Sequence, residues 1–318
     1  ILKKITQPQT QLIGNSIFVN ELRKKIPKIS NSTSRVFISG EMGSGKKLIS
    51  QLIHQMSKRK DTLVNVIDFS NLDNNSLNNI FSENANNIKD NIFYRANNST
   101  LILENIEKIP IYFQKKLLRY LDNNYFFKEH QLTLDLKIIS LSSKNIIDEI
   151  ENGNFLKDLF NRLNVVSIKI PPIKKRREDI LPLCNYYLNF FNKNINHTFE
   201  FSDLAKSKLE SYDWPGNIRQ IVNYIEKTVI LNQNLNQSEN YVITDLPKDM
   251  EDAQNDNSQE KNFSLSLKEA REKFEKDYLL SQIKRFNGNM SKISEFTGME
   301  RTALYRKIKS LKIVLEKK

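Results

Sequence analysis

The sequence of 318 residues predicts an α/β fold, a parallel sheet with helices on both faces closed by a helical lid, followed by a small all-α domain. Apolar, strand-like runs recur at 35–39, 63–69, 100–104, 137–142 and 165–170, and helical patterns such as Ile111 to Leu121 separate them. That alternation builds parallel sheets. After Pro171-Pro172 the pattern turns wholly helical, over Arg177 to Asn192, Asp203 to Tyr212 and Asn217 to Leu231, which reads as a lid on the α/β core.

The boundaries follow from composition. Residues 1–11 are polar and aperiodic, as a linker would be, so the first domain spans 12–247, with its α/β core reaching to about 170 and its lid covering 171–247. Residues 248–264 carry Asp252, Asn255, Asp256, Asn257 and Ser258 with little to bury, and read as a flexible linker. A helical domain fills 265–318. Opening at Ile1 rather than Met is expected of a fragment of a longer chain.

Lys and Arg number 49 against 37 Asp and Glu, a net charge of +12 that points to a polyanionic partner. From Lys284 onward ten basic residues face only Glu295, Glu300 and Glu316. The single cysteine, Cys184, excludes a disulfide within the chain and points to a reducing, cytoplasmic location and a buried packing role. His54, His130 and His197 have no metal-site spacing, and no apolar run approaches the length needed to span a membrane.

The strand-like Arg35-Val36-Phe37-Ile38-Ser39 runs directly into Gly40-Glu41-Met42-Gly43-Ser44-Gly45-Lys46-Lys47, and a helix is expected over Leu48 to Ser57. Glycines at these places let a tight loop point backbone N–H groups at a phosphate chain, while Lys46 reaches the terminal phosphates and the helix start adds its positive dipole end. This is a nucleotide-binding P-loop. Many P-loops end in a Ser or Thr whose hydroxyl binds magnesium, but Lys47 stands here, so the ion is expected on a carboxylate of a neighbouring strand. Glu104, at the end of Thr100-Leu101-Ile102-Leu103, is placed to hold it, directly or through water. Asn105 beside it cannot take a proton from an attacking water as a carboxylate can.

Around a turn at Gly298, the residues Ile293, Phe296, Leu304 and Ile308 fall at helical spacing, which makes a helix-turn-helix with Glu300 to Leu311 as recognition helix. Its apolar face packs inward. Arg301, Thr302, Tyr305, Arg306 and Lys309 are left to meet duplex DNA, those nearest the helix start at base edges and the rest at phosphates. The preceding helix, Leu267 to Arg285, carries Phe274, Tyr278 and Leu279 on a stripe that fits either a dimer interface or packing within one domain.

Together these residues resemble the NtrC family of AAA+ enhancer-binding response regulators that act on sigma-54 RNA polymerase and carry a Fis-type helix-turn-helix. Three further stretches carry the likeness: Arg162-Leu163-Asn164-Val165-Val166 through Pro171-Pro172-Ile173-Lys174-Lys175-Arg176-Arg177-Glu178-Asp179-Ile180, Trp214-Pro215-Gly216-Asn217-Ile218-Arg219, and Gln114-Lys115-Lys116-Leu117-Leu118-Arg119. The wording from Ala270-Arg271-Glu272 through Met299-Glu300-Arg301-Thr302-Ala303-Leu304 is similar to the NtrX-like branch. The resemblance implies an AAA+ P-loop NTPase core, and a homo-oligomer that is a dimer or an AAA+ ring. It also implies a cognate sensor kinase acting through a receiver domain, and RNA polymerase as a further partner.

By the same resemblance, Arg219 is the sensor arginine that reports on the γ-phosphate, and Arg162 is one of two arginine fingers that reach a neighbouring subunit. Leu156 occupies the other finger position. The family's metal-binding aspartate is Glu104, its catalytic glutamate is Asn105, and the asparagine that switches that glutamate is Asp68. Between Phe81 and Thr100 the GAFTGA loop that grips sigma-54 is missing. The expectation is therefore an ATP-binding, DNA-binding transcription regulator of a two-component system with little or no hydrolysis. The rivals are a working AAA+ ATPase that remodels polymerase and an architectural DNA-binding protein with a vestigial P-loop.

Overall fold

A computed structural model describes residues 11–81, 92–123, 125–127, 132–193, 199–231, 241–243, 266–285 and 290–311, so the expected linkers at 1–11 and 248–264 fall almost wholly outside the described residues. The chain divides into two compact units, Ile1–Asp245 and Leu246–Lys318.

In the first unit β1 (Val36–Ser39), β2 (Asn65–Asp68), β3 (Thr100–Glu104), β6 (Lys137–Ser142) and β7 (Val166–Lys169) form one sheet in the order β2-β3-β6-β1-β7, and every pairing is parallel. The short β4 (Tyr125–Phe127) and β5 (Leu132–Thr133) pair antiparallel apart from it. Successive side chains of a strand point to opposite faces, and the inner strands β1, β3 and β6 are buried on both, which is why they read as continuous hydrophobic runs, while the edge strands β2 and β7 are exposed at alternate positions. Val36, Ile38, Ile102, Ile139 and Leu141 pack with Leu22 and Ile26 of α1 (Ile17–Ser30) and Ile49, Leu52 and Ile53 of α2 (Lys46–Gln55).

Phe37, Leu101, Leu103 and Ile138 face the other way. They pack against α3 (Asn74–Ile80), α4 (Ile92–Arg95), α5 (Ile111–Asn123), α6 (Ile146–Glu151) and α7 (Lys157–Leu163) through Leu77, Phe93, Leu117, Ile146 and Leu159. Because all five strands run the same way, the loops after β1, β2 and β3 emerge at one edge. The chain leaves inner β1 for β2 at the sheet's far margin, and such a change of direction opens a crevice at the carboxyl ends of strands.

The lid consists of α8 (Ile180–Asn192), α9 (Asp203–Ser211) and α10 (Asn217–Leu231), with β8 (Phe199–Phe201) and β9 (Tyr241–Ile243) paired in parallel. The helix expected from Arg177 begins instead as a 3-10 turn, Arg177–Asp179, and becomes α-helical at Ile180. Asp179 explains the difference, because its fully buried carboxylate accepts from Asn15 N, Ser16 N and Ser16 Oγ at 2.7–2.8 Å and so ties the turn to the start of α1. Pro182 is tolerated in the first turn of α8, where a backbone N–H has no helical partner anyway.

The second unit holds α11 (Leu267–Arg285), α12 (Met290–Thr297) and α13 (Arg301–Ser310) around Leu279, Ile293, Leu304 and Ile308. Gly298 turns the chain between α12 and α13 at φ +66°, a conformation that costs glycine nothing. Phe296, on the same helical spacing, is half-exposed, while Ile293, Leu304 and Ile308 are buried.

Candidate functional site

The loop Gly40 to Gly45 leaves β1 at the sheet's carboxyl edge and delivers Lys46 and Lys47 to the first turn of α2, with Gly43 at φ +77° and Gly45 at φ +104°. A Cβ on Gly43 would overlap the carbonyl oxygen of Gly216, so the loop needs glycine there for close approach to the lid as well as for its conformation. Lys46 Nζ donates to the carbonyls of Gly40 at 2.6 Å and Glu41 at 2.9 Å. Burial pushes its ammonium below the ordinary lysine value, while Glu107, Glu104 and Glu41 oppose the shift and Arg219 adds to it. Arg219 and Glu107 are thus both close enough to act on the Lys46 charge.

The lid grips the loop from outside. Asn217, fully buried at the start of α10 and at φ +54°, donates from Nδ2 to Glu41 Oε2 at 3.0 Å and to Met42 O at 3.2 Å. Its Oδ1 accepts from Ile173 N at 2.8 Å. The Arg219 backbone N–H donates to Gly43 O at 3.3 Å. A cleft of about 460 Å³ lies between loop and lid, lined by Glu41, Met42, Pro215, Gly216 and Arg219 among others, a size usual for a small-molecule site.

Sequence reasoning missed a second bracket. The buried Arg176 donates from Nη2 to Ser44 O at 2.9 Å, pairs with Asp179 at 3.6 Å, and covers the Phe18 ring at 5.7 Å. One buried pair therefore joins the P-loop, the lid and the start of α1. Glu107 was missed as well. It is buried in the turn after β3, with Oε1 accepting from Ser143 N at 3.2 Å and Oε2 without a hydrogen-bond partner. Helical or strand periodicity gives no sign of either.

Glu104 and Asp68 are register partners at the ends of β3 and β2. Asn105, at φ 54°, donates from Nδ2 to Asp68 Oδ1 at 2.7 Å. Burial pushes the Asp68 carboxyl up, but the hydrogen bonds from Asn105 and Ser70 bring it below its ordinary value. Amide and carboxylate form a pair, and the carboxylate is on β2.

The expected magnesium ligand is already matched with another cation. Lys47 Nζ lies 3.1 Å from Glu104 Oε1, and that oxygen is buried with no aligned hydrogen bond, so charge is what compensates it. A divalent ion does not fit this donor set. An ammonium has no lone pair to offer and occupies the Glu104 oxygen, and no group of three or more His, Cys, Asp or Glu among the described residues could hold a metal. Two like unit charges about 4 Å apart repel by about 4 kcal/mol at an effective dielectric of about 20, and a divalent ion doubles that.

Arg162 is not part of this assembly. It lies in the last turn of α7, exposed and paired with Asp122 at 2.7 Å. It helps to depress the Arg35 guanidinium, although burial is the larger cause and Asp122 opposes both. Arg35 precedes β1, so Arg162 stands at the amino end of the strand whose carboxyl end carries the P-loop. Leu156, its counterpart by resemblance, is the N-cap residue of the same helix, with its N–H donated to Gln114 Oε1.

In the second unit Arg301, Thr302, Tyr305, Arg306 and Lys309 are all exposed, and Leu304 and Ile308 turn inward. Lys307 instead pairs with Glu275 of α11 at 2.6 Å.

Residues 12–169 match the sigma-54 interaction domain, residues 174–263 the AAA+ ATPase lid domain, and residues 270–311 the Fis family of bacterial regulatory proteins. A response regulator of Rickettsia typhi described as NtrX-like is 39% identical over 326 residues, an alignment covering 98% of this chain and 68% of the relative. The chain belongs to the NtrX-like response regulators. The crystal structure of NtrX from Brucella abortus in complex with ADP is 34% identical, covers 98% of this chain and 71% of its own, and has a TM-score of 0.69. Its counterpart in complex with ATP is 33% identical, covers 95% and 69%, and has a TM-score of 0.68. Membership accounts for the succession of parallel sheet, lid and helix-turn-helix. No described helix is long and apolar enough to cross a membrane.

Proposed function

We propose that this chain is the ATP-binding and DNA-binding output of a two-component transcription regulator, and that it holds its nucleotide with little or no hydrolysis. The observation that carries the nucleotide half is the double grip of the lid on the P-loop, through Asn217 on Glu41 and Met42 and through Arg176 on Ser44. A loop so fixed to the lid converts phosphate occupancy into a preference for one lid position. The nucleotide is then a structural ligand or an assembly switch.

Weak hydrolysis follows from Asn105, an amide held by Asp68 where a general base is needed. Loss of such a base costs roughly 10²–10⁴-fold in rate. The missing finger at Leu156 compounds this, and Arg162 on the far side of the sheet serves a neighbouring copy rather than its own site. No GAFTGA sequence occurs in the chain, so it has no handle for sigma-54 and acts on RNA polymerase by recruitment or occlusion. Part of the interval where that loop is expected, 82–91, lies outside the described residues. A cognate sensor kinase acts through a receiver domain, the working form is a homo-oligomer, and the location is cytoplasmic. Magnesium has no resident place on Glu104 in this reading.

Equilibrium binding and steady-state turnover on the purified chain test the proposal. ATP binds, Lys46→Ala abolishes binding, and turnover stays far below about 1 s⁻¹, the low end of ordinary enzyme rates. Turnover at or above that rate and rising with protein concentration would establish the working remodelling ATPase instead. Failure to bind ATP would leave a DNA-binding protein with a vestigial P-loop.

A further inference from the structure

We infer that the Lys47 ammonium takes the place of the divalent cation in this P-loop, so that the site accepts its nucleoside di- or triphosphate in the metal-free form. The inference rests on the nucleotide reading above and extends it to the ionic form of the ligand. Lys47 follows the phosphate-facing Lys46 in the first turn of α2. Its side chain is 62% exposed, whereas that of Glu104 is 15% exposed, so the lysine reaches from solvent onto an inner carboxylate 3.1 Å away. The carboxylate oxygen it meets has no aligned hydrogen bond and is compensated by that charge.

A polyphosphate entering the loop meets three positive groups, Lys46, Lys47 and Arg219, against Glu41, Glu104 and Glu107. Glu41 accepts from Asn217, and Glu104 is matched by Lys47. The ammonium is tethered to the helix that cradles the phosphates, so it acts at a high effective concentration. Magnesium, which keeps most of its water and takes a carboxylate beside the phosphates, would have to displace that ammonium from Glu104 at the end of β3.

The test is calorimetric titration of the whole chain with ATP, once with millimolar magnesium and once with EDTA, repeated on Lys47→Thr with circular dichroism to confirm folding. The expected wild-type Kd changes by less than about threefold between the two conditions, whereas Lys47→Thr weakens by about tenfold or more in EDTA and recovers when magnesium is added. A wild-type chain that itself loses about tenfold or more in EDTA overturns the inference and leaves nucleotide binding standing. Equal insensitivity of wild type and variant overturns the part assigned to Lys47. No binding of ATP by the wild type in either condition overturns the nucleotide reading, and this inference with it. The wild-type comparison stands even if the variant does not fold.

Discussion

Asn217 makes three hydrogen bonds from one buried amide in a left-handed conformation, and no other residue type supplies the same donors and acceptor with as little strain. Asn217→Ala leaves the Ile173 N–H and Met42 carbonyl unmet and should cost about 2–3 kcal/mol, read as a lower midpoint in urea together with weaker ATP binding. The Asp68 and Asn105 pair offers a sharper experiment. Asn105→Glu alone sets two carboxylates at hydrogen-bond distance and should not raise turnover. Asp68→Asn with Asn105→Glu restores a base with an amide partner and should raise it by about tenfold or more. Equal rates in the double variant and the wild type would show that the missing base is not what limits hydrolysis. Cys184 is fully buried, and burial pushes its thiol up to about 12, so at pH 8 it should react with a thiol reagent only as fast as the lid unfolds.

Among the elements, α11 resolves an ambiguity that periodicity left open. Leu279 faces inward onto Ile293, Leu304 and Ile308, while Phe274 and Tyr278 stack on one another at 6.2 Å and remain exposed. One stripe therefore serves two surfaces, and under the proposed homo-oligomer the outer one is where a second copy of this domain would pack. Phe274→Ala with Tyr278→Ala should leave the segment Leu267 to Lys318 folded but monomeric in sedimentation, because Leu279 is untouched. On α13 the inward Leu304 and Ile308 fix which side faces out. Arg301, at the helix start, should carry base preference, and Arg301→Ala should relax specificity by about 1–3 kcal/mol at one position. Lys309→Ala should weaken all DNA sequences alike and lower the salt slope by about one phosphate contact. A change of sequence preference in Lys309→Ala would mean that the two residues have exchanged roles.

The two compact units should melt independently. Adding ATP should raise only the transition of residues 1–245, since a ligand stabilises the unit that binds it. A chain ending at Asp245 should keep that transition, and loss of it would show that the units depend on each other for folding. Much of this architecture was legible in local pattern. The inner strands appeared as apolar runs because a sheet covered on both faces leaves them no polar alternation, and the glycine loop appeared because its glycines are required by backbone conformation at fixed spacing. The recognition helix followed from a 3.6-residue period and a glycine turn, but periodicity names a face and not how much of it is covered, and Phe296 on the same spacing is half-exposed. Pairings between distant residues left no such mark. That Lys47 meets Glu104, Asn217 meets Glu41 and Arg176 meets Ser44 depends on strand order and on where the lid comes to rest. Partners separated by dozens of residues are chosen by the packing of whole elements, which no window of sequence contains.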